Sequence, residues 1–267
     1  MLSILIALVI GAGLGTVVGV DLQSTAWGVT CGILGYVITQ IIISLILRKK
    51  INAIQAGIQA EMNADRERIS RQLNTFQQRQ PGNMTGLKQL ADRLQNEVSR
   101  KLLNSTEQFK VFYMWSPMLY KQINAMKVQL YYQLKDYAEV DRLLPKSMLL
   151  DPLSLAIKLV RMYKCEDKGL DAFYNKKCSR IKADNGAFLA SVYAWIKLKQ
   201  QNSQAAVAAL RSARKLSDHP VLIDNLDKLL NDRKKDFSNA GFGEQWYSLG
   251  LEEIKPKTLR RRNGPMF

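Results

Sequence analysis

The chain has 267 residues, 39 Lys and Arg against 23 Asp and Glu, a formal net charge of +16, one histidine and three cysteines. A single histidine, His219, excludes a His-rich metal centre, and Cys165 and Cys178 stand too far apart for a Cys-x-x-Cys redox or zinc pair. The positive excess suits anionic lipid headgroups first and nucleic acid second, or it is a solvated basic face.

Residues 1–20 are almost wholly apolar, Asp21, Gln23, Ser24 and Thr25 interrupt them, residues 26–47 are apolar again, and Arg48, Lys49 and Lys50 close the run. A bilayer core about 30 Å thick needs about 20 apolar residues in a helix. Asp21 is the only formal charge before Arg48. The pattern predicts a transmembrane helical hairpin over residues 1–47 with a short polar turn. Gly11, Gly15 and Gly19 lie four apart, as do Gly28 and Gly32, with Gly35 just after. Glycine at this spacing leaves a smooth helix face on which two backbones approach closely in lipid, within one hairpin or between copies. A cleaved signal peptide is the rival reading, but no Lys or Arg precedes Arg48. Lys and Arg near a membrane end stay cytoplasmic, so both termini and the bulk of the chain are expected in the cytoplasm, where the cysteines stay reduced.

Over residues 48–80, Ile51, Ile54, Ile58, Met62, Ile69, Leu73 and Phe76 recur mostly at helical steps, with Asp65 breaking the stripe. This predicts a long juxtamembrane helix that extends the second span, lies on the membrane, or pairs with a copy in coiled-coil fashion. A spacer is the favoured reading. Pro81, Gly82, Asn83 and Gly86 mark a domain boundary. A connecting helix over 84–116 carries the stripe Leu87, Leu90, Leu94, Val98, Leu102 and Phe109. Val111, Phe112, Tyr113 and Trp115 extend it into an aromatic patch read as core between helices. Ser116 and Pro117 have the chemistry of an N-cap and a first helical residue, as do Asp151 and Pro152.

From residue 117 the pattern is helix–turn–helix. Tyr131 lies in a first helix, and Val140, Leu144, Ser147 and Pro152 come after it at the spacing of a second helix and its close; Ala194, then Ala206, Leu210 and Ala213, give a second copy. This resembles the tetratricopeptide repeat, with Val140 and Ser147 in place of its usual alanines and Pro145 unusual inside a second helix. Val140 and Ala206 are 66 positions apart, close to two family periods of about 34, so one poorer repeat is expected between them, with helices over 153–163 and about 169–181. Residues 221–230 supply another first helix, and Trp246-Tyr247-Ser248-Leu249-Gly250 resembles the family's Trp-x-x-Leu-Gly opening, read as a terminal cap. The resemblance covers residues 117–250 and implies an α-solenoid whose concave face binds a peptide or protein. An unrelated antiparallel helical bundle is the alternative. On the first helices, Asn124, Tyr131, Tyr193 and Lys197 are the expected partner-binding residues, Lys197 suiting an acidic peptide.

The expected fold is therefore all-α: a transmembrane hairpin (1–47), a juxtamembrane helix (48–80), a connecting helix (84–116), tetratricopeptide-like repeats (117–253) and a basic tail (254–267). The tail holds Lys255, Lys257, Arg260, Arg261 and Arg262, which with Arg48, Lys49 and Lys50 are placed to meet lipid, RNA or an acidic partner. No Gly-rich phosphate loop, Ser–His–Asp set or metal-ligand spacing appears, so no catalytic, cofactor or metal residue is expected. The sequence points to a membrane-anchored scaffold or adaptor that binds a protein partner or itself. The alternatives are a structural membrane homo-oligomer, ring or pore, with a cytoplasmic collar, and a basic binder of lipid surfaces or nucleic acid.

Overall fold

Nothing from Thr25 to Arg79 breaks a helix: the stretch has no proline. The consequence is visible in a computed structural model, which describes residues 2–21 and 23–253. Helix α1 (Leu2–Asp21) turns through Gln23 and Ser24 into α2 (Thr25–Arg79), one uninterrupted helix of 55 residues. The second apolar run and the juxtamembrane helix are thus a single element. Both helices are long and apolar enough to cross a membrane. The turn is closed by Ser24 N–H donating to Gly19 O at 3.2 Å. Every described element is helical, and no strand occurs among the described residues.

The chain divides into two compact units, Met1–Met148 and Leu149–Phe267. In the first, Pro81 and Gly82 (φ +91°) are a hairpin turn rather than a boundary between units. Asn83 caps α3 (Met84–Thr106) by accepting from Gly86 N–H at 2.8 Å, and α3 runs back along α2. Asp65, which interrupts the apolar stripe, meets Lys101 of α3 at 3.2 Å, and Arg68 meets Glu97 at 3.0 Å. A 3₁₀ stretch (Glu107–Phe112) and a turn lead into α4 (Pro117–Gln133), capped by Ser116. The buried cluster Phe109, Leu119 and Ile123 takes Ile51, Ile54 and Ile58 of α2 against it. This corrects the reading of 48–80 as a spacer: its apolar stripe is covered by later segments of the same chain. It also moves the boundary, because α4 and its partner α5 (Tyr137–Leu143) belong to the first unit. Helix α5 is short because Pro145 cannot continue it, and the chain tightens into a 3₁₀ turn, Leu144–Lys146.

The second unit holds α6 (Pro152–Lys164), α7 (Leu170–Phe173) continuing as a π-turn over Tyr174–Cys178, α8 (Ala183–Lys199), α9 (Ser203–Arg214), α10 (Pro220–Leu230) and α11 (Glu244–Tyr247). Asp151 caps α6 by accepting from Ser154 N–H at 2.8 Å. The first helices of successive pairs start at Pro117, Pro152, Ala183 and Pro220, 35, 31 and 37 residues apart. Helix α8 packs on α6 and α9, and α9 packs on α10. Ala187, Ala190 and Ala194 of α8 meet Ala206, Leu210 and Ala213 of α9 and Leu222, Leu226 and Leu229 of α10 in one core. Small side chains on facing helices let the axes draw close and fill the core without voids. Beyond α10 the chain is held by an amide network. Asn225 Nδ2 donates to Asn239 Oδ1 at 2.9 Å, and Asn239 Nδ2 donates to Ser191 O at 2.9 Å. Buried polar groups cost several kcal/mol unless paired, so such a network fixes the segment's path.

Candidate functional site

The glycines of α1 and α2 face each other. A Cβ built on Gly15 would stand 2.8 Å from Gly28 O, one on Gly28 would stand 2.7 Å from Gly15 O, and one on Gly11 would stand 2.7 Å from Gly32 O. Only glycine allows this approach of backbone to backbone. Gly19 abuts Gly28, and Gly35 abuts Leu14 and Gly11. Gly13, off the seam, has open space where a Cβ would go. The residues buried along α1 are Ser3, Ala7 and Gly11, while Leu5, Leu8, Val9, Val17 and Val20 face outward. A shallow groove of about 750 Å³ runs beside the seam, past Gly11, Gly15, Gly19, Gly28, Gly32 and Tyr36.

The four residues expected to bind a partner occupy different settings. Asn124 is only 3% exposed, and its Nδ2 donates to Lys146 O at 3.3 Å, tying α4 to the turn after α5. Tyr131 is half-buried on the same helix. Tyr193 and Lys197, one turn apart on α8, come together with Asp171. Tyr193 Oη donates to Asp171 Oδ1 at 2.9 Å, Lys197 Nζ lies 2.5 Å from the same oxygen, and Lys197 Nζ donates to Gln200 Oε1 at 3.0 Å. Tyr193 also stacks on Tyr174, centroids 3.8 Å apart and planes within 7°. Burial, then the bond to Asp171, push the Tyr193 phenol well above its ordinary pKa; burial does the same to Tyr174. Lys197 is 6% exposed, and its charge is matched inside the chain by Asp171, a residue that no sequence pattern singles out. A free cation at position 197 for an acidic peptide is therefore not what the fold presents. The cluster borders a cleft of about 600 Å³ lined by Tyr163, Lys164, Glu166, Lys168 and Asp171.

A second constellation was invisible in the sequence. The Glu252 carboxylate accepts from two indoles, Trp195 Nε1 at 2.9 Å and Trp246 Nε1 at 3.0 Å. The two rings meet edge to face at 5.8 Å, and Lys199 Nζ lies 5.1 Å over Trp195. A charged acceptor with two donors makes strong bonds, and this clamp fixes the chain at the end of the second unit's described residues. The only sequence signal was the Trp-x-x-Leu-Gly stretch with an acid six residues after Trp246. Beside it opens a larger cleft, about 1050 Å³, lined by Trp195, Lys234, Lys235, Phe237, Tyr247 and Glu253.

The remaining sites are simpler. His219 caps α10, its Nδ1 accepting from Val221 N–H at 3.3 Å, and its ring stacks on Phe242. Val140 and Leu144 are buried, Ser147 Oγ donates to Leu143 O at 2.8 Å, and Pro152 opens α6. Arg48, Lys49 and Lys50 continue α2 with their side chains exposed. Lys255, Lys257, Arg260, Arg261 and Arg262 lie outside the described residues. Cys165 is exposed, and Cys178 is buried, with burial raising its thiol to about 12. The chain matches no protein-family model, no curated protein and no solved structure.

Proposed function

We propose that the chain is a membrane-anchored scaffold, held by the α1–α2 hairpin across a bilayer, with its helical remainder on the cytoplasmic side binding a protein partner or a second copy. The observation that carries this reading is the inverted burial of the hairpin. Large apolar side chains face outward over both helices and the backbone seam is glycine. In water such a surface would aggregate; in lipid it is the solvent-facing surface, and close backbone packing is what holds two helices together. The basic residues 48–50, at the end of the apolar run, favour the cytoplasmic side for the rest of the chain. The pairing of helices from α6 onward at 31 to 37 residues supports a tetratricopeptide-like solenoid as the recruiting surface.

The test is fractionation of cells expressing the full chain, with alkaline carbonate washing. The protein should stay in the membrane pellet, and a maleimide that cannot cross the membrane should reach Cys165 only after lysis. Release by carbonate ends the spanning reading, and labelling in intact cells reverses the orientation. Used as bait in detergent, the full chain should enrich a defined partner or itself; enrichment of neither removes the scaffold role.

A second reading, a homo-oligomer, draws on the groove beside the seam. Its glycines already pack within one hairpin, so oligomerisation would have to use the groove's open side. A discrete large species in detergent that dissociates on Thr16→Trp favours it, because Thr16 lines that groove.

A further inference from the structure

Outside α1 and the apolar part of α2, exposed large apolar side chains gather in one place among the described residues. Val111 is 73% exposed, Met114 68% and Met118 60%, all within eight residues that also contain Trp115. The sequence reading of this patch as core holds only for part of it. Phe109 is core, and Phe112 and Tyr113 pack against its cluster as Ile51, Ile54 and Ile58 of α2 do, whereas Val111, Met114 and Met118 are exposed.

What lies next to this turn decides what covers it. Leu2 N–H donates to Met114 O at 3.1 Å, and Ser3 Oγ donates to Trp115 O at 3.2 Å. The first amides of a helix have no partner within it, and a medium without water offers them none. The turn supplies one for the Leu2 amide at the open end of α1, and takes the Ser3 hydroxyl as well. Trp115 and Ser116 also line one cleft with Ser3, Gln40, Ser44 and Arg48. The turn therefore stands at the level of α2 where the apolar run gives way to Arg48, Lys49 and Lys50. Polar groups collect at that level, and Gln40 Oε1 there has no hydrogen-bond partner among the described residues. A tryptophan flanked by flexible apolar side chains, beside a basic cluster and at the end of a hydrophobic span, has the chemistry of a membrane–water boundary.

We propose that the turn at residues 111–118 is a third membrane contact. Val111, Met114 and Met118 enter the acyl boundary of the leaflet that residues 48–50 face, and Trp115 lies at its headgroups. The inference rests on the hairpin spanning the bilayer, and the two can be separated.

The experiment uses the full chain with Cys31→Ala and Cys165→Ser; Cys178 stays, buried and protonated. Single cysteines at Met114, Leu8 and Gln77 carry a nitroxide, and the protein is reconstituted in vesicles of phosphatidylcholine and phosphatidylserine in equal parts. Collision with oxygen, which concentrates in lipid, is compared with collision with a water-soluble nickel chelate. The Leu8 label should report lipid, the Gln77 label water, and the Met114 label an oxygen-to-nickel ratio several-fold above that at Gln77. A Met114 label indistinguishable from Gln77, with Leu8 in lipid, overturns the third contact and leaves the hairpin standing. A Leu8 label in water overturns both.

Discussion

The hairpin and the Leu149–Phe267 unit bury opposite kinds of residue. Along α1 the interior positions are Ser3, Ala7 and Gly11, and the leucines and valines face out. In the second unit Trp246, Phe188, Leu189, Leu210 and Leu222 are inside, and Arg211 and Arg214 of α9 face out. Both regions are helices packed on helices, so secondary structure does not distinguish them. What differs is where the free energy comes from. The second unit gains about 25 cal/mol per Å² of apolar surface removed from water. The hairpin removes little of it and relies on contact between backbones. The same chain thus carries two solutions to helix packing.

The sharpest break of that contrast is Trp246→Ala. It removes a fully buried ring and both its edge contact with Trp195 and its bond to Glu252, and should cost the second unit about 3–5 kcal/mol by denaturant unfolding. The distance between nitroxide labels at positions 4 and 38 of the hairpin should stay the same. The converse is Gly15→Leu, which drives a side chain into Gly28 O. Overpacking typically costs about 1–3 kcal/mol, and the 4-to-38 label distance should widen with no change in the unfolding of the second unit. Gly13→Leu, into open space, should do neither. If Gly13→Leu widens the hairpin as much as Gly15→Leu does, close packing at the seam is not what holds it.

Smaller effects sharpen the picture of the second unit. Tyr193→Phe removes the donor to Asp171 and should cost about 1 kcal/mol. Its pH signature runs the other way from a surface ion pair. Folded-state values of Tyr193, Tyr174 and Cys178 are raised by burial. Their contribution is complete below the unfolded values and is lost as pH climbs from the ordinary thiol range through the raised ones. The unit should therefore lose stability progressively above about pH 8.5, and Cys178 should resist maleimide below that while Cys165 reacts. In the first unit the bond from Lys110, then that from Lys127, holds the Glu107 carboxyl below its usual range. The stability it confers is present above the unfolded carboxylate range and is lost as pH falls through the folded value. Glu107→Gln should remove less than about 1 kcal/mol, because the pair is partly exposed, and should flatten the acid side of the first unit's stability curve.

Local signals in the sequence were legible because local physics decides them. Ser116 before Pro117 and Asp151 before Pro152 cap helices because a side-chain oxygen can reach an amide three residues on. Pro145 shortened α5 because its ring cannot follow a helical turn. The helix pairs from Pro117 were expected from the resemblance to the tetratricopeptide repeat and its period, not from local signals alone. What stayed hidden was long-range. Ile51, Ile54 and Ile58 announce an apolar face, but nothing near them says that Phe109, Leu119 and Ile123 will cover it. Asp65 read as a defect in a stripe until Lys101 stood opposite it. Lys197 read as a free cation because Asp171 is 26 positions away, and Glu252 drew no attention because its two indole partners lie on α8 and α11.

The unbroken course of α2 has a mechanical consequence. At 1.5 Å per residue its 55 residues form a rod roughly 80 Å long, with no proline and no kink-forming break between its apolar and charged halves. The Phe109, Leu119 and Ile123 cluster is bolted to that rod just past residue 50. Any tilt or axial rotation of the apolar half is delivered to the charged half, and to the segments packed on it, as the same angle.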